Sequence, residues 1–468
     1  MATVDPRVFR TYDIRALVPE LVDEDSLYYG QVGAADAFQA PLTPEGVERI
    51  GRGLAAFFAS PTVVIGHDAR LSSPEWAIAL ACGLNRQGVD VLDIGLATTD
   101  MVYYASGKLA LPAVIITASH CTKELNGMKL VKAGAHVVGK GAGMEELRDL
   151  VLAGTFGTAN RPGRVTRRSL LDEYLAHLRT FVAADQIAPL RLVADAGNGV
   201  GGLVARPLLS GLPQLEVTAL YFEPDGRFPH HEANPFVPEN IIELQARVPA
   251  SGADLGVAWD GDADRVVFLD ERGRPVPGDF VTALVARHFL ERHPGAGIVY
   301  DLRASWAVKE WVERLGGRPI SERVGHSYIK RTMRAEDAVF GGEVSGHYYF
   351  RDHYYADNGF IPLLSVLRML SEANVPLSQL VASLGEYYLS GEINSTVSDV
   401  EAVLARLQAR YADGVLEFRD GLSVEYPDWH FNVRPSANDP VVRLNLEART
   451  QEKMEQKREE VLALIRQE

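Results

Sequence analysis

Short apolar runs alternate with longer amphipathic stretches through the first part of the chain. Thr62–Ile65, Val89–Ile94 and Ala113–Ile116 are rich in β-branched residues and read as strands. Between them, Thr43-Pro44-Glu45 and Ser73-Pro74-Glu75 each offer an N-cap, a proline at the first helical position and an acid in the first turn. The second of these helices would stop near Gly88. Strands alternating with helices of this length predict βαβ units and a mostly parallel sheet. The pattern then recurs. Val63–Asp68, Leu192–Asp195 and Ile298–Asp301 are apolar runs closed by an aspartate, each followed by a stretch that reads as a capped helix. A second apolar strand in each unit ends in a polar loop: Thr117–Lys129, Asp260–Arg265 and Gly341–His347. The spacing is uneven, which suits three similar α/β units better than a solenoid. Ligands bind beyond the carboxyl ends of strands in open α/β sheets, so the three loops can serve one shared cleft.

The last stretch is patterned differently. A helix over Val400–Tyr411 precedes strands Val415–Phe418 and Leu422–Tyr426, joined by the hairpin signal Asp420-Gly421. Strands Trp429–Val433 and Val441–Leu446 flank a turn-rich segment, and a charged amphipathic helix fills Gln451–Glu468. The expected fold is therefore α/β: three similar domains with mixed, mostly parallel sheets, plus a C-terminal α+β domain, around a central cleft. The boundaries fall at 1–165, 166–274, 275–385 and 386–468.

Composition narrows the function. Apolar residues at 47% and charged residues at 23% mark an ordinary globular chain. Its net charge of −15 repels phosphate backbones and anionic lipid, which argues against nucleic acid and membrane surfaces as partners. An anionic substrate then needs a local cluster of cations. Five of the nine lysines (Lys108, Lys123, Lys129, Lys132 and Lys140) fall in one short stretch. Two cysteines, Cys82 and Cys121, are too few for a disulfide framework or a cysteine-ligated zinc site. The start, MATVDPRVFRTYD, is polar where a signal peptide needs an apolar core, so a cytoplasmic protein is expected.

Four segments carry candidate chemistry. Asp260, Asp262 and Asp264 stand at alternate positions of a tight loop and repel one another unless a cation neutralises them. Hard oxygen ligands favour Mg²⁺ or Ca²⁺, and Arg265 directly after them favours a phosphate site. Thr117-Ala118-Ser119-His120 comes straight off a strand, with Lys129 beyond; taken alone it is also compatible with a polar turn. No GxSxG elbow is present to support a hydrolase triad. Gly342-Glu343-Val344-Ser345-Gly346-His347 offers a carboxylate, a hydroxyl and an imidazole suited to a polyol, or an ordinary turn. Arg434-Pro435-Ser436-Ala437-Asn438-Asp439-Pro440 reads equally as a phosphate cradle or a hairpin loop. His230-His231 lacks further ligands at metal spacing and reads as a loop.

In this order the four segments resemble the α-D-phosphohexomutase superfamily, most closely its phosphomannomutase/phosphoglucomutase branch. The resemblance runs from Phe9-Arg10-Thr11-Tyr12-Asp13-Ile14-Arg15 to the Arg434–Pro440 loop. It implies that Ser119 carries a phosphoryl group and that Asp260, Asp262 and Asp264 bind Mg²⁺ together with a phosphoserine oxygen. Glu343 and Ser345 would grip sugar hydroxyls, and Arg434, Ser436 and Asn438 the non-reacting phosphate. Tyr12, Arg15, His120, Lys129, Arg265, Arg323, His326 and His347 match further active-site positions. The implied reaction interconverts hexose 1- and 6-phosphates of mannose or glucose through a 1,6-bisphosphate, which also serves as activator. Hexose phosphate is the implied partner, for a monomer or dimer. Ala263 also occurs among glucosamine mutases, which keeps a phosphoglucosamine mutase open; a phosphatase or a non-catalytic sugar-phosphate-binding homologue are the other readings. Cys121-Thr122 stand where the family usually has Asn-Pro, Arg323 where a lysine is common, and Ala437-Asn438-Asp439 where Asn-Thr-Glu is usual.

Overall fold

A computed structural model describes residues 3–34, 39–157, 159–435 and 441–467. The chain forms two compact units, Met1–Val276 with His347–Ser378, and Pro277–Gly346 with Gln379–Glu468.

The first unit holds two sheets. In the larger, strands Ala113–Ile116, Thr62–His67, Asp90–Leu96 and Val165–Arg167 run parallel. Leu125–Lys132 pairs antiparallel with Ala113–Ile116, and Ile14–Leu17 antiparallel with Leu125–Lys132. Pro44–Phe58 and Ser73–Arg86 bury Val47, Ile50, Leu54, Leu80 and Leu84 in its core. The smaller sheet pairs Leu190–Asp195 in parallel with Leu215–Leu220 and Leu255–Trp259, then turns antiparallel through Val266–Leu269 and Pro275–Val276. In the second unit, Arg318–Glu322, Gly297–Asp301 and Phe340–Gly342 are parallel. Its antiparallel sheet carries Val415–Glu417, Leu422–Glu425, Trp429–Pro435 and Val441–Ala448, covered by helices Val400–Arg410 and Gln451–Ile465. Among the described residues, no helix is long and apolar enough to cross a membrane.

The repeated aspartates share one device. Asp68, Asp195 and Asp301 are buried at the ends of parallel strands. Each accepts a hydrogen bond from the N–H two residues on, Arg70 at 3.0 Å, Gly197 at 2.8 Å and Arg303 at 2.9 Å. This local turn competes with continued strand and sends the chain toward the next helix.

Two expectations are corrected. Only the helix Trp306–Arg314 among the three has a side-chain cap, from Ser305. Ser73 lies inside its helix because its hydroxyl is drawn to Asp68 Oδ1 at 2.6 Å. The helix Gly201–Ser210 starts uncapped, with the Val200 N–H on the carbonyl of Gly261 at 3.0 Å. Lys129 sits on the strand Leu125–Lys132 and not on a loop, its partner across the antiparallel pair being Ile115.

Candidate functional site

Ser119 follows the strand Ala113–Ile116 by a sharp turn. Its N–H donates to Thr117 Oγ1 at 2.9 Å, and its φ of +53° is one that non-glycine residues adopt only at a cost. The surroundings hold it there. The wholly buried Arg70 donates to the carbonyls of Ser119 (2.7 Å), Cys121 (2.6 Å), Thr122 (2.7 Å) and Leu125 (2.8 Å), and pairs with Asp68 at 3.3 Å. One planar guanidinium thus fixes the whole loop.

The loop Asp260–Arg265 lies against this turn. A Cβ on Gly261 would sit 2.4 Å from the Ser119 carbonyl oxygen, so the approach is backbone to backbone and requires glycine. Ala263 has φ +61°, a left-handed position that favours glycine. Ser119 Oγ donates to Asp260 Oδ2 at 2.7 Å, and Arg265 reaches both Asp260 (Nε, 2.9 Å) and Ser119 Oγ (Nη2, 3.1 Å). Lys129 Nζ binds Asp262 at 2.6 Å and also Asp264. Thr99 clamps Asp262 from behind, its Oγ1 donating to Oδ2 at 2.5 Å and its N–H to the carbonyl at 3.0 Å.

These groups fit a hard divalent cation. Asp260, Asp262 and Asp264 each present a carboxylate oxygen within 4.8 Å of the others, all buried. Asp262 Oδ1 and Asp264 Oδ1 have no hydrogen-bond partner, which leaves acceptor capacity for a metal. Burial, and then the charge of Asp262, push Asp264 well above the usual carboxylate range. For Asp262 burial is the largest influence and acts upward, but Lys129, Thr99 and Arg265 together outweigh it and hold the group at about 2.

His120 lies 3.3 Å from Ser119 Oγ through Nδ1, which also faces the Arg265 guanidinium. Burial, then Arg265, Arg15 and Lys129, push its pKa well below that of a free imidazole, so it is neutral. Arg15 stands across the antiparallel pair from Gly127, and its guanidinium donates to Cys121 Sγ at 2.6 Å. His347 bridges backbone with Arg265 and sets Nε2 3.7 Å from Asp264 Oδ1. Tyr12 is half-buried on the segment before Ile14.

Thr99 opens the helix Thr99–Leu109, and the next residue, Asp100, is wholly buried. It accepts from Thr98 Oγ1 and, at 3.4 Å, from the Gly359 N–H. Burial is the largest influence and raises its pKa from 3.8 to about 7. A folded pKa above the unfolded one stabilises the protein at low pH, and that stability is lost as pH rises through about 7. Relative to Asp100→Asn, which cannot ionise, the wild type is expected to lose about 1.4 kcal/mol between roughly pH 6 and pH 8. Denaturant titrations of the two proteins check this, and parallel pH profiles would contradict it.

The second unit assembles the remaining candidates. The Gly325 N–H, one residue before His326, donates to Glu343 Oε1 at 2.9 Å, so the two loops are joined. Asp301 Oδ2 accepts from Val344 N–H at 2.9 Å and holds the turn that carries Ser345. Arg323 stacks over the Tyr328 ring at 4.4 Å. Arg434 meets Glu392 at 3.4 Å. Ser436 and Asn438 lie outside the described residues. Ser119, His120, Lys129, Arg15, Arg265, His347 and the three aspartates thus belong to the first unit, and Arg323, His326, Glu343, Ser345 and Arg434 to the second. Sequence reasoning missed Arg70, Thr99, Arg303 and Glu392. Only Arg70 and Arg303 had a signal, an Asp-x-Arg directly after a strand.

Comparison with known protein families matches the chain to four successive descriptions. They are phosphoglucomutase/phosphomannomutase alpha/beta/alpha domain I (residues 6–156), domain II (172–273), domain III (277–388) and the C-terminal domain (392–464). The chain belongs to the phosphoglucomutase/phosphomannomutase family. Within this family it is 40% identical over 445 residues to a protein of Xanthomonas campestris named "Phosphohexose mutases", covering 94% of this chain and 95% of that one. It is 39% identical over 471 residues to a phosphomannomutase of Salmonella typhimurium, covering 98% and 99%. A crystal structure of a phosphoglucomutase/phosphomannomutase family protein from Burkholderia thailandensis superposes with a TM-score of 0.84 at 30% identity, over 99% of this chain and 98% of that one. The family fold has four domains, three α/β and one C-terminal, in agreement with the fold class read from the sequence.

Proposed function

We propose that this chain is a Mg²⁺-dependent phosphohexomutase that interconverts the 1- and 6-phosphates of mannose and glucose through phosphoserine 119 and a hexose 1,6-bisphosphate. The observation that carries the proposal is the placing of Ser119 Oγ, 2.7 Å from Asp260 and 3.1 Å from Arg265, beside three buried carboxylates. Phosphoryl transfer needs chiefly positioning and neutralisation of charge. Asp260, Asp262, Asp264 and a phosphoserine oxygen would hold Mg²⁺, which supplies that neutralisation when bound.

The chain's own groups do the rest. Phosphoserine 119 gives its phosphoryl to a hydroxyl of the sugar monophosphate: the P–O(Ser) bond breaks, a P–O(sugar) bond forms, and Arg265 stabilises the oxygen left on Ser119. The hydroxyl proton needs an acceptor. His120, 3.3 Å from Ser119 Oγ through Nδ1, and Lys129, on Asp262 and Asp264, are the candidates for this role. After the bisphosphate turns end over end, the same steps in reverse return its other phosphoryl to Ser119. Glu343 and Ser345 would hold hydroxyls 3 and 4, which mannose and glucose share, so both sugars are accepted.

The test is a mutase assay primed with glucose 1,6-bisphosphate, with mannose, glucose and glucosamine 1-phosphates side by side. Turnover of the first two is expected, lost on chelation and restored by Mg²⁺. Preference for glucosamine phosphate would move the chain to the neighbouring branch. Release of inorganic phosphate would identify a phosphatase, and binding without turnover a non-catalytic homologue.

A further inference from the structure

In the second unit three guanidinium groups meet a single carboxylate. Glu392 Oε2 lies 3.4 Å from Arg303 Nη1 and 3.4 Å from Arg434 Nη2, and Oε1 lies 3.1 Å from Arg443 Nη1. None of these contacts is a two-pronged pair. All are longer than the roughly 2.7–2.9 Å of a well-made charge-assisted hydrogen bond. Arg303, by contrast, is gripped by Asp301 through two bonds of 3.0 Å, which orient it. Glu343 also acts on Arg303, and Asp420 on Arg434, from further away. Burial, and then the nearby charge of Arg303, lower the pKa of Arg434. Arg434 Nε and Arg443 Nε are buried without a hydrogen-bond partner, so the cluster has donors that Glu392 does not satisfy. Glu392 is partly exposed, at 28% of its side chain, so solvent reaches the carboxylate.

We propose that Glu392 is a resident counter-ion in the phosphate subsite, occupying guanidinium donors of Arg303, Arg434 and Arg443 until a phosphate displaces it. This rests on the reading above, in which Arg434 holds the substrate's non-reacting phosphate, and adds Arg303 and Arg443 to that subsite. Three arginines with no competitor would grip a phosphate dianion tightly. A bisphosphate that must let go, turn and rebind needs a weaker hold, and a carboxylate returning to the same donors provides it. Glu392 thereby sets affinity; it takes no part in bond making.

Titration of inorganic phosphate into the full-length protein by calorimetry tests this without requiring turnover. Glu392→Gln keeps the shape and removes the charge, and is expected to bind phosphate at least about 10-fold more tightly. Glu392→Asp, with a shorter reach and an intact charge, should fall between it and the wild type, and serves if the amide variant folds poorly. Adding Arg434→Gln to Glu392→Gln should abolish the gain, which places it in this cluster. In the mutase assay Glu392→Gln should lower both KM and kcat, because release becomes slow. Equal or weaker phosphate binding by Glu392→Gln would overturn the proposal, since the carboxylate would then merely order the arginines. Tighter phosphate binding without turnover of any sugar would overturn the mutase reading and leave the counter-ion standing.

Discussion

Ser119→Ala is expected to lower mutase turnover by about 10³-fold or more while the protein remains folded and binds sugar phosphate. The substitution removes the one hydroxyl that meets Asp260 and Arg265 together. It leaves the backbone bonds from Arg70 in place, because these go to carbonyl oxygens. A phosphoprotein readout should change in step. Mass spectrometry after incubation with glucose 1,6-bisphosphate should find phosphate on the Ser119 peptide of the wild type and none on the variant. Unchanged turnover would mean that another group accepts the phosphoryl.

The largest effect on stability is expected at Arg70. Arg70→Ala would leave the charge of Asp68 buried without its partner and would take a donor from four carbonyl oxygens, of which that of Thr122 keeps the Leu125 N–H. Breaking a buried pair in this way costs about 3–5 kcal/mol. Arg70→Lys keeps the charge but lacks the planar fork, so only part of the loss should return, and activity should fall further than stability as the Ser119 loop loosens. Denaturant unfolding with parallel kinetics measures both. A loss under about 1 kcal/mol would show that the loop is held by other contacts.

How much of this is legible in the sequence follows from the range of the forces involved. Three carboxylates at alternate positions in a short turn repel one another in any fold, so the Asp260–Arg265 loop announced a cation. The aspartates at strand ends act on an N–H two residues away, a local interaction that a sequence pattern carries well. Lys129 was misplaced because Leu125–Lys132 is buried on both faces for most of its length and shows no alternation. Thr99 and Glu392 were invisible for another reason: the partners of Thr99 lie 163 residues further along, and Glu392 works only among arginines from distant segments. The Ser436 and Asn438 expectations fall outside the described residues and stand as proposals.

The grip of Arg70 on main-chain oxygens also bears on how this lineage can drift. Every bond that Arg70 donates to the turn after Ser119 ends on a carbonyl, which any amino acid supplies. The side chains at 121 and 122 are therefore not needed for these four bonds, although Cys121 Sγ accepts one of its own from Arg15. Cys121-Thr122 in place of Asn-Pro is the kind of change such an arrangement tolerates, while Arg70 itself has no substitute.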